Sequence, residues 1–468
     1  MKTILQVRNL TVQNEKGVLF EVPAFKIASG EKIGFVGENG IGKTTLFCQL
    51  FNQESSNIKR ATSIGYLEQI LPLNYLSGGQ QERKQLEKFM FSDNELILLD
   101  EPTTNLDDEN IEWLINVINA SNKTFLIISH DRDFLDRTID KIIFVENGQL
   151  QSFYGDYSEF QSWTVHKKEK QTIQYKQDIK KKKQLERALR EKKEKSARLL
   201  KKKKGVSQSE WKMRSYVGDY ESKAKSLAKS AKSIETRLLR ETVTTQPHRL
   251  KQLTIKVPDM LLIKKGKSLL RINDNIYENS NNINLKIKNF NIKAGDKISL
   301  VGKNGSGKTQ FLELIYSLKD LISKEDYISN NISIGYFKQS LNLFNKNDVL
   351  LKVLLMESEQ PNQVVFDTLA SLGFRNEEMK RRYEQLSGGQ KVKANLAKIL
   401  LGNYNVLFLD EPNNYLDIIA MQALENFLKA YDGTFILVTH DKRLRDSVCT
   451  REFIVDSLTI NSQESLRF

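Results

Sequence analysis

Two loops of one design constrain this chain more than any other feature. Gly37-Glu38-Asn39-Gly40-Ile41-Gly42-Lys43-Thr44 and Gly302-Lys303-Asn304-Gly305-Ser306-Gly307-Lys308-Thr309 share the spacing G-x-x-x-x-G-K-[ST]. Each follows a short apolar run that reads as a buried strand and precedes a stretch that reads as an apolar helix. In that setting the glycines let backbone N–H groups wrap a phosphate chain, and the lysine neutralises β/γ-phosphate charge. The threonine hydroxyl can ligate Mg²⁺. A chance glycine-rich turn would account for one such loop, but not for what surrounds both.

The loops head a series that occurs twice in the same order. Gly65-Tyr66-Leu67-Glu68-Gln69 is answered by Gly335-Tyr336-Phe337-Lys338-Gln339, and Leu76-Ser77-Gly78-Gly79-Gln80 by Leu386-Ser387-Gly388-Gly389-Gln390. Leu98-Leu99-Asp100-Glu101-Pro102 is answered by Phe408-Leu409-Asp410-Glu411-Pro412, and Leu106-Asp107 by Leu416-Asp417. Ser129-His130-Asp131 returns as Thr439-His440-Asp441. Such a repeat is an internal duplication. At 468 residues the chain can hold two or three domains, each with its own core. Its two cysteines, Cys48 and Cys449, give no disulfide framework, which suits a reducing cytosol. The first residues are too poor in apolar runs for a signal peptide, and nothing approaches the ~20 apolar residues of a membrane span.

These residues resemble the ATP-binding cassette pattern: a P-loop, LSGGQ, an apolar strand ending in Asp-Glu, and a later His. Two cassettes with a charged linker and no membrane segment resemble the ABC-F family, whose members act on ribosomes. The resemblance implies an α/β fold of two P-loop ATPase domains joined by a basic antiparallel helical hairpin. It implies ATP hydrolysis with ATP and Mg²⁺ as ligands. Asp100 and Asp410 would hold Mg²⁺ with Thr44 and Thr309, and with Gln69 and Gln339. Glu101 and Glu411 would orient or deprotonate the attacking water, and His130 and His440 would contact the γ-phosphate. Gly37, Asn39, Gly40, Gly42, Lys43, Thr44 and Thr45 would bind one ATP. Gly302, Asn304, Gly305, Gly307, Lys308, Thr309 and Gln310 would bind the other. Ser387, Gly388, Gly389 and Gln390 would close over the first site, and Ser77, Gly78, Gly79 and Gln80 over the second. ATP is then the glue of a closed state and hydrolysis the release step. Both sites retain the required residues, so both are expected to be competent.

The departures from the family pattern point further. Gln69 to Leu76 spans 7 residues, whereas Gln339 to Leu386 spans 47. A cassette places a helical subdomain in that interval, so the first half has lost essentially all of it. That loss resembles the Vga-type antibiotic-resistance members. Asn413 stands where the family has Thr, a tolerable change. With 28 residues after His440, the C-terminal extension of some relatives is expected to be missing. Tyr277 is a candidate for adenine stacking, with no evident counterpart in the first half.

Between the repeats lies the basic linker. Lys167 through Arg240 holds 26 Lys/Arg against 9 Asp/Glu; the remainder of the chain holds 46 against 49. From Tyr157 to Lys204 there is no Pro or Gly, and the composition favours helix. Ala224, Leu227, Ala231, Ile234 and Leu238 recur at alternating spacings of 3 and 4, a narrow helix-pairing seam. Leu185, Leu189, Ser196 and Leu199 form a looser match. The expected bend lies near 206–220, where Trp211, Lys212, Met213, Arg214, Ser215 and Tyr216 form an RNA-facing tip. A charge run is often only a solvated face, but aromatics and Arg among lysines suit phosphate contact and base stacking. A membrane-surface patch is disfavoured because the arm lacks an apolar face for lipid.

The expected organisation is a first cassette at 1–157, the linker at 158–245 and a second cassette at 246–468. The expected function is that of a cytoplasmic, monomeric, ATP-dependent ribosome-protection protein. Its partners would be the 70S ribosome, through 23S rRNA and the P-site tRNA, with no role for DNA or membranes. A housekeeping translation factor is the alternative, and a transporter ATPase subunit a remote one.

Overall fold

The computed structural model describes residues 2–14, 17–53, 55–68, 78–104, 106–204, 213–240, 261, 263–273, 275–278, 284–317, 326–338, 342–414 and 416–461. Backbone alone is described at 78–82, 85, 200–204, 213–221, 240, 275, 278 and 461. The chain forms two compact units, Met1–Phe160 with Leu250–Phe468, and Gln161–Arg249.

In the first half, β1 (Thr3–Asn14) and β2 (Gly17–Ala28) make a long antiparallel hairpin. Then come β3 (Lys32–Val36), α1 (Lys43–Asn52), β4 (Ile58–Arg60), β5 (Ile64–Leu67) and α2 (Gly78–Met90). They are followed by β6 (Leu96–Asp100), α3 (Asp108–Ala120), β7 (Thr124–Ile128), α4 (Arg132–Thr138), β8 (Lys141–Glu146) and β9 (Gln149–Tyr154). The nine strands form one sheet in the order β4-β1-β2-β9-β8-β3-β7-β6-β5. From β8 to β5 every neighbouring pair is parallel. Parallel strands covered on both faces read as continuous apolar runs. In β6, Leu96 and Leu98 enter one core while Ile97 and Leu99 enter the core on the other face.

The order β3-β7-β6 decides where the chemistry lies. The P-loop leaves the carboxyl end of β3, Asp100 ends β6, and His130 follows β7, so three adjacent parallel strands deliver them to one sheet edge. That edge is where open α/β sheets bind ligands.

The linker unit carries α5 (Tyr157–Lys204) and α6 (Met213–Arg240). At ~1.5 Å per residue, the 48 residues of α5 are about 72 Å long. The helices run antiparallel: Ser196 Oγ donates to the Ala224 carbonyl at 3.1 Å, while Lys193 pairs with Glu235 at 2.8 Å. Ala224, Ala231 and Ser196 are buried, and Leu227, Ile234 and Leu238 are half-buried. The small side chains hold the closest approach, as the seam requires. Helix α6 already begins at Met213, inside the stretch 206–220 where the bend was expected. Met213, Arg214, Ser215 and Tyr216 are therefore helical. No proline interrupts the segment, and one glycine, Gly218, costs a helix only about 1 kcal/mol. Trp211 and Lys212 lie outside the described residues.

In the second half, β10 (Ser268–Ile272), β11 (Asn275–Glu278), β12 (Asn284–Ile287), β13 (Phe290–Lys293) and β14 (Lys297–Val301) precede α7 (Lys308–Ser317). After β15 (Tyr327–Ile328) and β16 (Ile334–Phe337) come α8 (Leu350–Glu357), α9 (Asn362–Ser371), α10 (Asn376–Met379) and α11 (Gly388–Leu400). The half closes with β17 (Val406–Asp410), α12 (Ile418–Ala430), β18 (Thr434–Val438), α13 (Lys442–Val448), β19 (Arg451–Asp456) and β20 (Thr459–Asn461). Eight strands order as β11-β12-β20-β19-β14-β18-β17-β16, with β13-β10-β15 a separate sheet. The adjacency β14-β18-β17 reproduces that of β3-β7-β6.

The helices α8 to α10 occupy the long interval after Gln339 and share one core with α11 and α12, through Leu350, Leu354, Val365, Leu369 and Met379. No counterpart fits in the seven-residue interval of the first half. There Leu86 and Met90 of α2 pack in one core with Ile111 and Leu114 of α3.

Candidate active sites at the two P-loops

Both P-loops turn into their helices through glycines with positive φ: Gly40 at 78° and Gly42 at 106°, Gly305 at 77° and Gly307 at 108°. A Cβ on Gly42 would stand 2.7 Å from Leu19 Cδ1, and one on Gly307 would stand 2.8 Å from Leu458 Cδ2. Space and conformation therefore both demand glycine at these positions. Lys43 Nζ donates to the carbonyls of Gly37 at 2.7 Å and Glu38 at 3.0 Å. Lys308 does the same to Gly302 at 2.7 Å and Lys303 at 3.1 Å. Burial lowers the pKa of both ammonium groups, against the attraction of the carboxylates nearby.

The strand-end acids stand opposite. Thr44 Oγ1 donates to Asp100 Oδ2 at 2.7 Å, and Thr309 hydrogen-bonds Asp410 in the same way. Burial raises the pKa of Asp100 and lifts Asp410 to about 6. Glu101 and Glu411 are half-buried and adopt φ of 52° and 46°, a left-handed conformation that is rare for glutamate. The shared strain is the kind that functional geometry maintains. Burial pushes Glu101 up to about 8 and raises Glu411 as well. One carboxyl oxygen of each, Oε1, lacks a hydrogen-bond partner. An unsatisfied buried acceptor beside a phosphate-binding loop fits a water or a hydrated cation.

The residues present suit ATP with Mg²⁺. A threonine hydroxyl and one carboxylate per site are the few protein ligands that Mg²⁺ takes when phosphate and water supply the rest. Among the described residues there is no cluster of His, Cys, Asp and Glu able to cage a metal alone. Thr44 with Asp100, and Thr309 with Asp410, would hold the ion, which supplies charge neutralisation at the phosphates.

The two histidines differ. His130 Nε2 lies 2.9 Å from Asn39 Oδ1 and 3.4 Å from Glu101 Oε1, while its Nδ1 is buried without a partner. Burial and Lys43 lower its pKa to about 3. His440 Nε2 lies 3.4 Å from Glu411 Oε1, and its Nδ1 lies 3.4 Å from Asp108 Oδ1 of the opposite cassette. Burial would lower this imidazole too, but Glu411 and Asp108 outweigh it and raise the pKa.

Each site borrows from the other cassette. Asp417 Oδ2 accepts from the Asn39 backbone N–H at 3.4 Å and from Lys393 of α11 at 2.7 Å. Asp107 Oδ2 accepts from the Asn304 N–H at 3.4 Å. Ser387 caps α11: its Oγ accepts from the Gln390 N–H at 3.3 Å, and Gln390 Oε1 accepts from the Ser387 N–H at 3.0 Å. A Cβ on Gly388 would meet nothing within 4 Å, so the start of α11 is open to a ligand. Gly78, Gly79 and Gln80 begin α2, whereas Gln69, Ser77 and Gln339 lie outside the described residues.

Tyr277 differs from its expected role. It is buried in the second core with Leu285 and Ile287, and its hydroxyl donates to the Asp326 carboxylate. Its ring is thus a packing element instead of a platform for adenine. Sequence reading also missed Asp108, Glu109, Lys393 and Arg445. Asp108, Glu109 and Arg445 make contacts between the halves, and Lys393 holds Asp417, which does; the one available signal was that they flank the repeated motifs.

Two Asp-Glu strand ends facing two P-loops, with the cassettes exchanging aspartates, define a tandem P-loop ATPase. A family model described as ABC transporter matches residues 285–414. The ribosome protection protein VmlR of Bacillus subtilis is 26% identical, over 99% of this chain and 88% of its own length. The ATP-binding protein Uup of Buchnera aphidicola is 27% identical, over 94% of this chain and 78% of its own length. ABC transporter F family member 5 of Arabidopsis thaliana is 29% identical over 81% of this chain, which spans about half (51%) of that protein. Among solved structures, an archaeal ribosome recycling factor, aABCE1, matches with a TM-score of 0.63 at 17% identity, covering 97% of this chain and 89% of its own. That likeness concerns the fold. The chain is similar to ABC-F proteins and is a tandem ATP-binding cassette ATPase. Among its described residues no helix is long and apolar enough to cross a membrane.

Proposed function

We propose that this ATPase is a cytoplasmic ribosome-protection protein. Bound to two ATP molecules, it would enter the tRNA exit site of the 70S ribosome as a monomer. Its linker would disturb antibiotics at the peptidyl-transferase centre, of lincosamide, pleuromutilin or streptogramin A type. The observation that carries this reading is the linker. A 48-residue and a 28-residue helix form an antiparallel pair that holds the whole chain's excess of positive charge. That is the electrostatics of a phosphate-binding probe, here flanked by two ATP-driven domains. VmlR, a ribosome protection protein by name, supports the ribosome as partner; the contacts there would be with 23S rRNA and the P-site tRNA.

Glu101, Glu411, His130 and His440 are assigned to hydrolysis, the P-loop residues to ATP, and Thr44, Asp100, Thr309 and Asp410 to Mg²⁺. Glu101→Gln with Glu411→Gln is expected to trap the ATP-bound protein on 70S ribosomes, read by co-sedimentation. Recovery with membranes and no ribosomes would overturn the proposal. Cells expressing the protein are expected to tolerate at least one large-subunit inhibitor better than controls. Unchanged susceptibility across the panel would favour a general translation factor.

A further inference from the structure

Superposing the duplicated motifs exposes a difference at two adjacent positions. After the Leu-Asp pair the first half continues Asp108-Glu109, whereas the second continues Ile418-Ile419. Asp108 reaches the opposite cassette, where Oδ1 lies 3.4 Å from His440 Nδ1 and Oδ2 accepts from Arg445 Nη2 at 2.7 Å. Arg445 is buried and is itself fixed through Nη1 to the Thr439 carbonyl at 3.2 Å, just before His440. Glu109 adds an ion pair to Lys303 of the second P-loop at 2.6 Å. On the other side Ile418 packs against the apolar core of the first cassette, and Leu135 stands where Arg445 stands in the repeat. His130 Nδ1 correspondingly has no partner. At this position one half of the interface thus has an acid-to-base contact ending on the site histidine, and the other half has an isoleucine on apolar side chains.

We propose that Asp108 is a positioning residue supplied in trans. With Arg445 it fixes the ring of His440, so that hydrolysis at the second P-loop depends on this contact from the opposite cassette, whereas hydrolysis at the first does not depend on its counterpart. Both sites close across the interface, but they would then differ in how the histidine is held. At the first, His130 is held by Asn39 of its own loop at 2.9 Å. The opposite displacement of the two histidine pKa values accords with this difference. The inference rests on the ATPase activity of the family and not on any ribosomal role.

The test is single-turnover hydrolysis of γ-labelled ATP by the full chain in excess, without ribosomes. One round of bond cleavage needs no reopening of the clamp. Glu101→Gln silences the first site, so the signal comes from the second; Glu411→Gln does the reverse. In the first background Asp108→Ile is expected to slow cleavage about tenfold, the order of loss for a misplaced catalytic group. The ATP concentration for half-maximal rate should move less than about twofold, on the same reasoning. In the second background the slowing should be at least about fivefold smaller. Asp108→Glu, which keeps the charge, should recover most of the rate. Equal slowing in both backgrounds would mean that Asp108 merely holds the interface, and no slowing in either would make the contact irrelevant. Either result overturns the proposal while leaving ribosome protection untouched.

Discussion

Lys393 and Asp417 are both buried, 2.7 Å apart, at the point where α11 approaches the first P-loop. Removing one partner of such a pair strands the other charge. Lys393→Met is expected to destabilise the protein by about 3–5 kcal/mol, whereas Lys393→Met with Asp417→Leu should recover part of that loss; urea denaturation reads both. Asp108 permits a prediction in pH. Burial would raise its pKa, but the bonds from His440 and Arg445 hold it down, at about 2. A carboxyl depressed in the folded state contributes stability above its unfolded pKa of about 3.9. That contribution is lost as pH falls toward the folded value. The melting-temperature gap between wild type and Asp108→Asn should therefore widen as pH falls through neutrality, where His440 takes up the proton that Asp108 favours, and shrink again between about pH 4 and 2. A gap that stayed constant down to about pH 2 would contradict this. Asp100, Glu101 and His130 were legible in the sequence, because fixed spacings around a P-loop leave them few places to go. The pairing of Asp108 with His440 was not, because it joins residues that meet only when two sheets face each other.

At the level of elements, the seam of α6 was readable residue by residue. The positions at alternating spacings of 3 and 4 are the ones that the structure buries or half-buries. Ala231 is the informative site, being almost fully covered. Ala231→Leu should force the pair apart at a cost of about 1–3 kcal/mol, seen as faster amide exchange over 222–239 in the intact protein. Unchanged exchange there would mean that the two helices do not rely on close approach. The start of α6 was misjudged for an equally physical reason. Met213, Arg214 and Tyr216 look like part of an exposed tip by composition, yet none of them resists helix. Helices α8 to α10 show the reverse case. The 47-residue interval announced an insertion, but only packing against Leu396, Leu400 and Leu424 reveals it as part of the second core.

For the whole molecule, closure of the cassettes depends on a few buried cross-links. Arg132 of the first half is nearly inaccessible and reaches Glu425 at 2.7 Å and Asp441 at 3.5 Å in the second. Arg132→Ala leaves both carboxylates without that partner. It should reduce the ATP-dependent closed fraction, measured by energy transfer between dyes placed on the two cassettes, with ATP affinity of the open form little changed. An unaltered closed fraction would show that nucleotide alone joins the halves. The helix that leaves the first cassette carries a mechanical consequence. Neither proline nor glycine interrupts the 48 residues of α5, from Tyr157 to Lys204. A rod of about 72 Å whose backbone hydrogen bonds are internal carries a push along its own axis without relying on side-chain contacts along the way.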